Sequence, residues 1–256
     1  MPHPFLWCRH GDQLRATHRV HRGHQGDRRQ ADDQARPHPG RDAEPAPRSG
    51  DLKKKQLLEL QAACRACRIC QDQGIIAEAT PTFEGRWGAP FFLVGQAPGP
   101  VEKESRRPFS GRAGKELERW MVRAGFRDGE EFRHLTYIAA LMRCFPGRNR
   151  QNTGDLRPPP AGIANCAHWL DSELRLLRPQ MLILVGQLAI ARFLGPGSLE
   201  ERVGQSFGQR PVMIPLPHPS GQNRWLNLPA NRDRLSAALA LIGEMRSNFV
   251  RRRTEK

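Results

Sequence analysis

A chain of 256 residues is long enough for one domain with a sizeable core or for two small ones. With 41 lysines and arginines against 26 acidic residues, a formal net charge of +15, it favours polyanionic partners. No apolar run approaches the roughly 18 residues of a membrane span, and no apolar segment of the export type follows the N-terminus, so a membrane or secreted protein is not expected and a cytoplasmic one is.

From Met1 to about Gly50 the chain is rich in Arg, His, Asp and Pro, almost lacks Val and Ile, and shows no sustained apolar periodicity. Such composition predicts a disordered basic extension, or translated sequence upstream of the true start. The folded domain is expected over residues 51–248, with a basic tail at 249–256. Residues 52–63 read as an amphipathic helix, and "APFFLVG" as a buried strand ending in Gly95. "AGKELERWMVRAG" predicts a helix closed by Gly125, and "HLTYIAALM" a second strand leading into "RCFPGRNR". After a Gly- and Pro-rich stretch through "DLRPPPAG", "IANCAHWLDSELRLL" predicts a helix, "PQMLILVG" a strand and "QLAIARFLG" a short helix. "RPVMIPLPH" gives a fourth strand and "NRDRLSAALALIGEMRSNF" a last helix. Strands alternating with helices argue for an α/β fold, a three-layer α/β/α sandwich around a mainly parallel four-stranded sheet. In such folds the loops at the carboxyl ends of the strands carry the chemistry. Here those loops are "GQAPGPVEKE", "RCFPGRNR", the turn after "LILVG" and "HPSGQNRW".

Six cysteines in a reducing compartment point to metal binding or free thiols rather than disulfides. Cys64 and Cys67 form a C-x-x-C, but the second C-x-x-C of a zinc ribbon is missing; Cys144 and Cys166 stand alone instead. Two paired and two distant thiolates suit a cubane iron-sulfur site. A redox pair with two buried free thiols fits the same spacing.

The ordered set of "GQAPG", "PFSGRAG", "YIAALMRCFPGRNR", "LVGQLA" and "HPS", together with the cysteines, resembles the iron-sulfur uracil-DNA glycosylases of family 4, with features of family 5. The resemblance covers about residues 57–245. It implies a 4Fe-4S cluster on Cys64, Cys67, Cys144 and Cys166, serving as a structural staple. Cys70 matches no ligand of the pattern, and "QNTGDLRPPP" lengthens the segment between the last two ligands.

The activity implied is removal of a base from DNA, for which the nucleotide must be flipped out and gripped. Phe109 would stack on the base, and His218 would donate to the oxygen on which charge develops. Gln96, Ala97, Gly99 and Ser220 would line the base, and Glu102 would orient or activate water. The family has Glu where this chain has Gln96. It has an edge-reading Asn where this chain has Ala140, which predicts relaxed selectivity among deaminated bases. Trp225 or Leu226 would wedge into the minor groove, with Arg224 on a phosphate. Arg143, Arg148 and Arg150 would supply further phosphate contacts. No lysine stands in these motifs as a Schiff-base nucleophile, so a monofunctional glycosylase, acting on DNA as a monomer, is the expectation. A non-catalytic iron-sulfur protein binding single-stranded or damaged DNA is the alternative, and a zinc-stabilised α/β protein a third.

Overall fold

The structure is a computed structural model, and it describes residues 49–221 and 223–255. The expected N-terminal extension lies almost entirely outside the described residues. Four parallel strands form one sheet: β1 (Phe91–Gly95), β2 (Thr136–Ala140), β3 (Met181–Val185) and β4 (Val212–Leu216), in the order β2-β1-β3-β4. The helices are α1 (Ser49–Arg65), α2 (Ile69–Asp72), α3 (Pro100–Ser105), α4 (Arg112–Arg123), α5 (Gly129–Leu135), α6 (Pro160–Leu177), α7 (Gln187–Leu194), α8 (Leu199–Arg202) and α9 (Pro229–Thr254).

The three-layer arrangement follows from the two-residue period of the strands. Phe91, Leu93, Ile138, Ile183 and Ile214 face one way, against Trp120 and Met121 of α4, Phe132 of α5, and Leu235 and Ile242 of α9. Phe92, Val94, Tyr137, Ala139, Leu182 and Leu184 face the other, against Leu57 of α1, Leu170 of α6 and Ile190 of α7. Both faces of β1 and β3 are covered, which is why these strands read as unbroken apolar runs.

The second strand is shorter than its apolar run: His134 and Leu135 close α5, and the ladder ends at Ala140. Asp128 caps that helix by accepting from the amide of Glu131 at 2.7 Å. Residues 249–254 extend α9, where a tail was expected. No helix among the described residues is long and apolar enough to cross a membrane.

From β1 the chain passes to β2 on one side; from β3 it passes to β4 on the other. The point where the winding reverses therefore lies between the carboxyl ends of β1 and β3, the place where parallel sheets of this kind open a crevice.

Candidate active site and cysteine cavity

The loop after β1 fills that crevice. A Cβ on Gly186, just past β3, would stand 2.2 Å from Nε2 of Gln96, so the Gln96 side chain crosses the reversal point, and the φ of +85° at Gly186 favours glycine there. The Gln96 carbonyl accepts from the amide of Met142, and the Gly95 carbonyl from that of Leu141, extending the β1–β2 pairing beyond the strands. Ala140 lies opposite Gly95 in this ladder and is buried.

Phe109 sits above the same end of β1. Its rings atoms Cζ and Cε2 would lie 3.2 and 3.3 Å from a Cβ on Gly95, so the ring rests directly on the glycine backbone. Its φ is +51°, a left-handed conformation that a bulky residue adopts only when its surroundings enforce it. The enforcement is Arg133, whose guanidinium donates to the carbonyls of Pro108 (3.1 Å) and Phe109 (2.9 Å) and pairs with Glu84 and Glu118. Gly114 completes it: a Cβ there would meet the Phe109 carbonyl oxygen at 1.8 Å, so α4 tolerates no larger residue at that position. Phe109 also packs against the core, and is half-buried rather than enclosed.

Glu102, in α3, joins these two loops. Its Oε2 accepts from the amide of Gly99 at 3.1 Å and its Oε1 from that of Gly111 at 2.7 Å. Both carboxylate oxygens are thus engaged in holding "GQAPG" to "PFSGRAG". Each oxygen keeps a second lone pair beyond its backbone hydrogen bond, and the carboxylate as a whole is fixed in place by the two loops it joins.

His218 stands half-buried just past β4, between two prolines. Burial pulls its pKa below the usual histidine value, partly offset by the carboxylates of Glu102 and Asp155. It is therefore neutral at pH 7, able to donate one N–H without carrying charge. Asn223 Nδ2 donates to the His218 carbonyl at 2.9 Å, and the Asn223 amide donates to the carbonyl of Ser220, closing the turn.

Trp225 and Leu226 turn inward and pack against the core, with Trp225 Nε1 donating to Glu200. The exposed apolar side chain of this segment is Leu228, 61% accessible, and Arg224 is exposed as well. Arg148 and Arg150 are exposed as expected. Arg143 is the opposite: it is fully buried and ion-paired to the equally buried Glu173, so it is no phosphate contact.

The thiols converge behind the β2 loop. Cys64, Cys67, Cys144 and Cys166 line one cavity, and Cys70 joins them, with Ile76, Arg143 and Trp169 completing the wall. Burial raises the thiols of Cys64 and Cys144 to about 12 and that of Cys166 to about 11, so these three are protonated unless a metal takes the proton's place. Three buried donors around the cavity have no partner: Nε and Nη1 of Arg143 and Nε1 of Trp169. Such donors are costly when unsatisfied, and an anionic, sulfide-rich group in the cavity would satisfy them. Among the described residues no group of three or more His, Cys, Asp or Glu side chains is placed to hold a metal ion. Arg143 and Glu173 are further tied to Tyr137, whose hydroxyl donates to Glu173 at 2.8 Å, and the Arg143 amide donates to Sγ of Cys166 at 3.4 Å.

Sequence reasoning missed Asp155. It lies in the lengthened stretch between Cys144 and Cys166, and electrostatically faces both Glu102 and His218. An acid in a Gly- and Pro-rich loop carries no periodic signal, and only the folded path of that loop brings it here.

Residues 83–241, more than half of the chain, match the family model described as "Uracil DNA glycosylase superfamily". A Type-4 uracil-DNA glycosylase of Thermotoga maritima is 31% identical over 144 residues, which are 55% of this chain and 67% of that protein. One from Archaeoglobus fulgidus is 27% identical over 201 residues, 75% of this chain and 94% of the relative. A Type-5 uracil-DNA glycosylase of Pyrobaculum aerophilum is 30% identical over 100 residues, 38% of this chain and 41% of the relative.

Proposed function

Because the chain belongs to the uracil-DNA glycosylase superfamily, we propose that it hydrolyses the N-glycosidic bond of uracil or another deaminated base in DNA and leaves an abasic site. The observation that carries the reading is a strained aromatic platform resting on Gly95, together with a neutral histidine that lies within electrostatic reach of Glu102 in the helix that follows the loop after β1.

In this reading Phe109 receives the flipped base on its ring, and the Gln96, Ala97 and Gly99 backbone meets the base edge. Negative charge grows on the leaving base as the bond lengthens, and a neutral His218 N–H, already positioned, stabilises it without moving. Ala140 leaves part of the base edge unread, so uracil is not strongly preferred over hypoxanthine or xanthine. Arg148, Arg150 and Arg224 hold phosphates without reading sequence, and the exposed Leu228 replaces Trp225 as the apolar wedge. The protein would act as a monomer on chromosomal DNA in the cytoplasm.

Cys64, Cys67, Cys144 and Cys166 would hold a 4Fe-4S cluster, with Arg143 and Trp169 donating toward it. When bound, the cluster supplies a covalent cross-link between α1, the β2 loop and α6, and no electron is needed for base removal.

The test is to incubate the purified protein with duplex and single-stranded oligonucleotides bearing uracil, hypoxanthine or xanthine, then cleave abasic sites with alkali. Strand scission with at least one of these bases is expected. Tight binding to the lesion DNA without scission would replace the enzyme reading by the binding one, for which Gln96 and Ala140 speak.

A further inference from the structure

We infer that Asp155 is the carboxylate that binds and deprotonates the attacking water. The inference rests on the glycosylase reading above and assigns a residue to one of its steps.

The segment from Gly147 to Leu156 is a built loop rather than a loose insertion. The Asn149 amide donates to the Gly154 carbonyl at 2.9 Å and the Leu156 amide to the Gly147 carbonyl at 2.8 Å, while Arg148 and Asp155 pair as an antiparallel bridge. Within it the Asn149 side chain closes on Thr153 through two further hydrogen bonds, and Arg148 Nη1 donates to Asn152. This scaffold points Asp155 back over the loop after β1. A Cβ on Gly99 would lie 2.8 Å from Oε2 of Glu102 and 3.4 Å from Oδ2 of Asp155, so the two carboxylates lean over the same backbone carbon.

Their chemical situations differ. Glu102 accepts one backbone hydrogen bond on each oxygen, from the amides of Gly99 and Gly111, and is held in a structural position between two loops. Asp155 has one long ion pair, 4.0 Å to Arg148 Nε, and a side chain that is 45% accessible. Its lone pairs are otherwise open to water. The groups facing it are Glu102 from α3, His218 from the turn after β4, and Arg148 from its own loop. Partial burial and the charge of Glu102 raise its pKa above the ordinary aspartate value, while Arg148 and His218 oppose that rise. A carboxylate raised in this way is a better base than an unperturbed one.

The step balances as follows. The water oxygen forms a bond to the sugar C1′ as the C1′–N bond breaks, and the bonding pair leaves with the base. One water proton passes to Asp155, the other stays as the new C1′ hydroxyl, and the base anion, held by His218, takes the proton from Asp155 or from solvent on release.

Single-turnover cleavage of a uracil-bearing duplex by wild type, Asp155→Asn and Asp155→Ala tests this, with binding to a duplex carrying a tetrahydrofuran abasic analogue measured in parallel. Both variants are expected to lose at least about 100-fold in rate, the usual contribution of a general base, while binding the analogue as wild type does. The rise of the wild-type rate with pH through the Asp155 titration is expected to vanish in Asp155→Asn. Because an ionised, desolvated carboxylate disfavours the folded state at neutral pH, the thermal midpoint of Asp155→Asn should be no lower than that of wild type. A wild-type rate and pH profile in Asp155→Asn would overturn the inference, as would a rate loss matched by an equal loss of analogue binding. Wild-type protein that cleaves none of the bases would instead overturn the glycosylase reading.

Discussion

Arg133 donates to the carbonyl of Phe109 at 2.9 Å from a side chain that is only 4% accessible, so a buried cation dictates the backbone of the aromatic platform. Arg133→Met removes two carbonyl contacts and leaves Glu84 and Glu118 without their shared partner. A destabilisation of about 3 kcal/mol is expected from breaking such a cluster. Relaxation of Phe109 out of its left-handed conformation should also lower cleavage by about 100-fold, as small misplacements in a site commonly do. Urea unfolding and single-turnover rates check the two effects separately.

The Arg143–Glu173 pair gives a second expectation. Removing one member of a buried pair leaves an uncompensated charge, so Glu173→Gln should cost about 3–5 kcal/mol and lower the thermal midpoint by about 10 °C. Replacing both, as Arg143→Met with Glu173→Leu, should be less damaging to the apoprotein than either single change. Calorimetry of the set distinguishes a charge effect from a simple packing loss.

His218 makes stability depend on pH in a defined direction. Its folded pKa lies below the unfolded value of 6.5, so the unfolded chain binds the proton first. Stability is full above pH 6.5 and falls as pH drops through the window between the two values. His218→Gln should flatten that part of the profile and abolish cleavage while sparing DNA binding. An unchanged cleavage rate would remove the histidine from its role.

Ala140→Asn places an amide opposite Gly95, where the resemblance to the family predicts a reader of the base edge. The ratio of uracil to hypoxanthine cleavage should rise by about 10-fold or more, the scale on which a site that hydrogen-bonds its substrate rejects the wrong one. Competition assays with the two oligonucleotides read the ratio directly.

Cys70 shares the cavity wall without matching a ligand position. Cys70→Ser is expected to retain about four irons and four sulfides per chain and its visible absorption, whereas Cys144→Ser or Cys166→Ser loses them. Chelation of the iron should lower the thermal midpoint of wild type and Cys70→Ser alike.

How much of this was legible beforehand depended on the range of the interactions. The strands were readable because β1 and β3 are buried on both faces and had to be continuous apolar runs. The seven-residue α5 was not: its two buried apolar side chains, Phe132 and Leu135, run into the apolar stretch of β2, although Asp128 and the acids behind it form an ordinary helix start. Arg143 sat among arginines that do face solvent, and nothing local distinguishes a cation whose counter-charge, Glu173, lies thirty residues away. Trp225 was legible as an aromatic in a loop expected to face DNA, but its inward turn follows from α9 and Glu200. Asp155 was invisible for the same reason: its partners come from α3 and from the turn after β4.

The chain leaving β2 passes from the proposed base pocket to the thiol cavity within a few residues. Ala140 faces Gly95, the amides of Leu141 and Met142 reach the Gly95 and Gln96 carbonyls, and Cys144 enters the cavity wall. The proposed pocket floor and the proposed cluster anchor are therefore one piece of backbone, and they should be made or lost as a unit. A preparation with only part of its iron is then expected to be a mixture of competent and inert molecules. Titration of active sites should track iron content, while the rate constant of each competent molecule stays the same.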